Sequence, residues 1–145
     1  MIRLAVAAAI LSVAVTAVLA QSDPIKTRKD LMSANDKNYK AIRAVVRGQA
    51  PYDQAKVNAA FAQWGETAQK FGSLFPDNSK TGGDTSASPK IWQNRADFDA
   101  KLAAFGKAVN DNRDKVKSVN DLKTALAAVD KTCGDCHEVY RVRRR

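Results

Sequence analysis

Residues 120–141 read N-D-L-K-T-A-L-A-A-V-D-K-T-C-G-D-C-H-E-V-Y-R. Leu122, Leu126, Val129, Cys133, Cys136, His137 and Tyr140 recur at threes and fours, the spacing of one face of an α-helix. The helix is predicted to begin at Asn120 or Asp121 and to end in the basic run Arg141, Arg143, Arg144 and Arg145. Upstream, the same period appears three more times. Ile25, Met32, Tyr39, Ile42 and Val46 form one apolar seam over 24–46, stopped by Arg47-Gly48-Gln49-Ala50-Pro51. A second helix opens behind Asp53 as N-cap, carries Val57, Ala60, Phe61, Trp64, Ala68 and Phe71 on one face, and ends near Leu74. The third, expected to be the longest, runs from Ile91 and Trp92 through Phe98, Leu102, Phe105 and Val109 to Val116. Residues 76–89, PDNSKTGGDTSASP, read as an exposed connecting loop. No stretch alternates as a strand would. Four amphipathic helices with mostly short links predict an all-α, antiparallel four-helix bundle, a fold that holds cofactors between facing helices.

Within the last helix lies Cys133-Gly134-Asp135-Cys136-His137, the C-x-x-C-H pattern of covalent c-type haem attachment. Positions three and four apart share a helical face. Both thiols can therefore reach the vinyl groups along one haem edge while His137 turns its imidazole to the iron. A disulfide between residues three apart would strain a helix and leaves unexplained why the sole histidine follows the second cysteine. A thioredoxin-like pair belongs at the start of a helix after a strand. Zinc needs four ligands, and the chain offers three of the usual soft or nitrogen donors. Eight residues follow His137, so a second protein ligand to iron must come from upstream. Apart from Met1, Met32 is the only methionine, and its thioether is either the sixth ligand or a core filler.

The 145 residues carry a net charge of +9. Residues 1–20, MIRLAVAAAILSVAVTAVLA, set Arg3 ahead of an apolar run ending in small residues, the pattern of a cleaved signal peptide. Their removal leaves residues 21–145 as one exported domain with a charge of +8, expected in the periplasm. No later segment is apolar for the length of a membrane span. Lysine and arginine are scattered along the chain, and an exported protein seldom meets nucleic acid; acidic redox partner proteins fit this charge better. The expected role is electron carriage rather than enzymatic catalysis.

Further segments carry a resemblance: Arg28-Lys29-Asp30-Leu31-Met32, Val45-Val46-Arg47-Gly48-Gln49-Ala50-Pro51-Tyr52-Asp53, Ser88-Pro89-Lys90-Ile91-Trp92, and 133–141. With these and its C-terminal haem motif, the chain from about residue 21 to 145 resembles the class II c-type cytochromes, the cytochrome c-prime family. The resemblance implies a four-helix bundle with one covalent haem c. It places Met32 at the position on which the family divides. In high-spin members the side chain there covers the iron without binding it, and some of these also carry methionine. In the low-spin branch a methionine there is the sixth ligand. The pattern Lys-Asp-Leu-Met-Ser-Ala-Asn, with Leu74-Phe75-Pro76-Asp77 later, is more similar to the low-spin branch. The alternative is a five-coordinate protein binding nitric oxide or carbon monoxide. By the same resemblance Arg28 contacts a haem propionate, Lys29 departs from the family's glutamine, and Tyr140 and Arg141 lie close to the cofactor. Relatives of the two branches imply a monomer or a homodimer.

Overall fold

The computed structural model describes residues 23–142; the expected signal peptide, 1–20, and the arginines at 143–145 lie outside the described residues. Helix α1, Pro24–Val46, starts where the Asp23 carboxylate accepts hydrogen bonds from the backbone N–H of Ile25 and Lys26, with Pro24 in the first turn. It stops at Arg47, followed by Gly48 at φ +71°. Helix α2, Gln54–Lys70, opens on the expected Asp53 cap. Two short 3₁₀ turns follow, Phe71–Leu74 and Asp77–Ser79. A single turn α3, Lys90–Gln93, precedes α4, Arg95–Arg113. Helix α5, Val119–Tyr140, begins one residue ahead of the predicted start. There Ser118 accepts from the Asp121 N–H, while the Asp121 carboxylate accepts from the Ser118 hydroxyl.

The third helix differs from expectation. At Asn94 the backbone leaves the helical region (φ −134°, ψ 67°) and the side chain accepts from the Asp97 N–H, so Asn94 ends α3 and caps α4. Ile91 and Phe98 both face the core, which carries the apolar period across the break and hides it. Nor is this helix the longest: α4 has 19 residues against 23 in α1 and 22 in α5. Val116 lies beyond it, buried in the connection to α5.

Helix α1 packs on α2, α2 on α4, α4 on α5, and α5 closes the ring on α1. Each neighbour runs opposite to the last, as the predicted bundle requires. The main core fills the middle with Ile42, Val57, Phe61, Trp64, Val109 and Leu122. A second cluster of Phe75, Ile91, Phe98 and Tyr140 closes the end where α5 finishes. Here Phe75 meets Phe71, Trp92 and Phe98 edge to face, with centroids 4.9 to 5.7 Å apart, and Phe98 meets Tyr140 the same way at 5.4 Å. That geometry contributes about 0.5–1.5 kcal/mol per pair beyond the area buried. The buried stripe of α1 is Ile25, Arg28, Leu31, Ile42 and Val45. Met32, Tyr39 and Val46 of the predicted seam are half-buried beside it.

Residues 76–89 are more than an exposed connector. Ser79 and Ser88 are buried. The segment is strapped to the C-terminal end of α5 through Ser88 N–H to Tyr140 O, Val142 N–H to Ser86 O, and an isolated antiparallel bridge between Ala87 and Arg141. On its other side it lies against α1. Gly83, at φ +52°, sits so close to Ile25 that a Cβ would come within 2.8 Å of that side chain.

Candidate haem-attachment site

Helix α5 brings Cys133 and Cys136 to one face, both as free thiols and both half-buried. They sit against different parts of the interior: Cys133 packs on the main core and Cys136 on the aromatic cluster. Burial, then Asp130 and the neighbouring Cys136, push the Cys133 thiol up to about 11. Burial also raises Cys136, against the charge of Lys101. Before any attachment both sulfurs are therefore neutral S–H groups near pH 7, held in apolar surroundings suited to the rim of a porphyrin.

His137 follows on the exposed side and borders an open groove of about 1000 Å³ that Lys131, Glu138, Arg141 and Ser86 also line. The neighbouring protein strips enough hydration from the ring to lower its pKa, and the charge of Arg141 lowers it further. A neutral imidazole keeps a lone pair free for a metal. Among the described residues no three Cys, His, Asp or Glu side chains are grouped to hold a metal ion. This donor set does not fit zinc. It fits haem, where the thiols act at the porphyrin edge and only the imidazole acts at the iron.

Met32 is half-buried on α1. Its level in the bundle follows from Tyr39, seven residues on, which lies beside Asp130 of α5; burial and a hydrogen bond to that carboxylate raise the Tyr39 pKa. Helices α1 and α5 are antiparallel. Seven residues back from Tyr39 and seven forward from Asp130, about 10 Å along each axis, lead to Met32 and His137.

Arg28, a turn before Met32, is 4 % exposed. Its guanidinium donates to Leu74 O (3.0 Å), Ser79 Oγ (3.1 Å), Ser79 O (3.0 Å) and Thr85 Oγ1 (3.3 Å), and lies 4.5 Å over the Phe75 ring. Burial lowers its pKa, opposed by Asp23. Arg28 thus clamps the 74–85 segment to α1: both terminal nitrogens serve that segment, and the Nε–H is the donor left over. Lys29 likewise donates to Gly83 O at 3.2 Å and pairs with Asp84. Nothing local in the sequence announces these contacts, because the partners are 46 to 57 residues away.

Tyr140 is buried in the aromatic cluster and donates to Asp97 Oδ2 at 2.6 Å. Burial, followed by Asp97, pushes its pKa up to about 12. Arg141 contributes backbone to the strap and lines the His137 groove.

A family model described as cytochrome c′ matches residues 23–141. Cytochrome c-556 of Rhodopseudomonas palustris is 41% identical over 145 residues, covering 97% of each chain. Cytochrome c′ of the same organism is 36% identical over 126 residues, 87% of this chain and 86% of its own. Among solved structures, cytochrome c′ from Rhodopseudomonas palustris superposes with a TM-score of 0.81 at 35% identity, covering 86% of this chain and all of that one. A structure of oxidised cytochrome c556 from Rhodopseudomonas palustris gives 0.79 at 41% identity over the same shares. The two thiols, the histidine beside them and the antiparallel bundle around them agree with these matches, and the chain belongs to the cytochrome c′ family, with one covalent haem c as its cofactor.

Proposed function

We propose that the chain is a periplasmic one-electron carrier in which Cys133 and Cys136 anchor the haem, His137 is the proximal ligand and Met32 the distal one. The observation that carries the reading is the register of α1 against α5, which brings the level of Met32 to that of His137. The 41% identity to a protein named cytochrome c-556 over nearly the whole chain adds to it. When bound, the haem supplies an iron that cycles between ferric and ferrous states.

The protein's own groups do the rest. Cys133 and Cys136 would hold the haem through thioether bonds, with each thiol's sulfur and hydrogen both retained in the adduct, so that no oxidant would be consumed. His137, kept neutral by its surroundings, presents a nitrogen lone pair. Met32, on a helix clamped at Arg28, offers a soft thioether that needs no deprotonation. With both ligands supplied by packed helices, coordination need not change between the two oxidation states. Among the described residues no helix is long and apolar enough to cross a membrane.

The test is the absorption and electron paramagnetic resonance spectrum of the holoprotein, with and without carbon monoxide, beside Met32→Ala. The expected wild type is low-spin and resists the gas, and the variant becomes high-spin and binds it. A wild type that is already high-spin and takes up carbon monoxide would make Met32 a packing residue and the protein a gas binder.

A further inference from the structure

Among the described residues, positive charge is unevenly divided between the two ends of the bundle, while the sequence beyond them adds Arg143, Arg144 and Arg145. The described residues hold twenty Lys and Arg and fifteen Asp and Glu, an excess of five. Segments 43–56 and 113–123 alone contain seven of these cations against three aspartates, which is four of the five. These segments form one end of the molecule: the Tyr52 hydroxyl lies 3.5 Å from Val116 O, and Ala50, Tyr52 and Val116 share the core there. All three aspartates are engaged. Asp53 and Asp121 accept backbone N–H groups at helix starts, and Asp114 lies beside Arg113. The seven cations are exposed.

At the other end, around His137, many of the described charges are matched. Lys26 faces Asp30, Lys80 faces Asp77, and Lys131 faces Asp135, each at 2.6 Å, and Arg95 faces Asp99 at 2.9 Å. The twenty residues of α5 and its cap between Lys117 and His137 separate the two ends by about 30 Å.

We propose that the end built by 43–56 and 113–123 is a docking surface for anionic membrane lipid, which holds the protein at a bilayer surface while the haem-binding end faces away. Lys115, Lys117 and Lys123 lie within four residues of Val119 in sequence, and Val119, at 40 % exposure, is one of two exposed large apolar side chains among the described residues. Four of the seven cations, Lys56, Lys115, Lys117 and Lys123, are lysines, whose compact, hydrated charge on a flexible stem suits a diffuse anionic layer, and Arg43, Arg47 and Arg113 add three more positive charges. A second copy of this chain would meet the patch with like charge. The partner that exchanges electrons would then dock at the other end.

The experiment is co-sedimentation of the mature holoprotein with vesicles of phosphatidylglycerol or of phosphatidylcholine at 10 mM and 500 mM salt. It uses the wild type, K115Q/K117Q, and a chain ending at Val142, with the Soret band confirming intact holoprotein in each. Binding is expected on the anionic vesicles alone and lost at high salt, because screening is severe there. Each lysine near such a surface contributes about 1 kcal/mol, so K115Q/K117Q should bind about 25-fold more weakly. The shortened chain should keep binding through the patch. Equal binding to both lipids, no binding at low salt, full binding by K115Q/K117Q, or loss confined to the shortened chain would each overturn the proposal. So would capture by polyglutamate without capture by vesicles, which would indicate an acidic protein partner.

Discussion

Arg28 shows how one side chain can hold two distant parts of a small bundle together. A guanidinium that is 4 % exposed has lost most of its water, and its hydrogen bonds to Leu74, Ser79 and Thr85 replace it. The same contacts fix the 74–85 segment to the turn of α1 just before Met32. Truncation would leave buried carbonyl and hydroxyl oxygens unpartnered, each at a cost of about 1–3 kcal/mol where water cannot reach. Arg28→Ala is therefore expected to lose about 3 kcal/mol in urea unfolding, and Arg28→Lys less, since an ammonium reaches only some of these acceptors. Equal loss in both would mean that the Arg28 stem, packed near Phe75, matters more than its head. Cys133 and Cys136 show the opposite economy: their roles need only a shared helical face, which spacing alone supplies.

At the scale of elements, helix ends decide more than helix interiors. Asp23, Asp53, Ser118 and Asn94 each supply an oxygen to a first-turn N–H. Asn94 matters most for architecture, because it turns one expected helix into α3 and α4 and so lets Trp92 donate to Phe75 O at 3.0 Å. Asn94→Ala should lower stability by about 1 kcal/mol, the usual worth of such a cap. It should also blue-shift or broaden the Trp92 fluorescence of the apoprotein relative to a control at Asn58, an exposed mid-helix asparagine in α2. No change in stability would show that α4 begins independently of this side chain. The strap formed by 86–88 and 140–142 is the other decisive element. It is too short to be a strand, yet it seats the end of α5 where the aromatic cluster forms.

For the molecule as a whole, Tyr140 links pH to folding. Its hydroxyl is held neutral by burial and by Asp97, with a folded pKa of about 12 against about 10 unfolded. A pKa raised on folding contributes stability that is complete below about pH 10 and is lost as pH climbs through about 12. The midpoint of thermal unfolding should therefore fall steeply between these values, and Tyr140→Phe should flatten that limb while lowering stability at neutral pH. An unaltered alkaline limb in the variant would assign it to other groups. Because Tyr140 joins α5 to α4 and to Phe98, its loss is expected to be felt cooperatively through the bundle.

Much of this protein could be read from its residues alone. The C-x-x-C-H spacing and a period of 3.6 are local patterns, and a helix converts them directly into a shared face. That was enough for the all-α bundle, the covalent haem, the Asp53 cap and three of the four long helices. The break at Asn94, the burial of Arg28, the strap across 76–89 and the gathering of basic charge at one end were decided by tertiary structure. All but the Asn94 break, whose cap reaches only to Asp97, join residues far apart in the chain. Their energies arise from burial and hydrogen bonding that exist only once the helices have met, and no local period records such meetings.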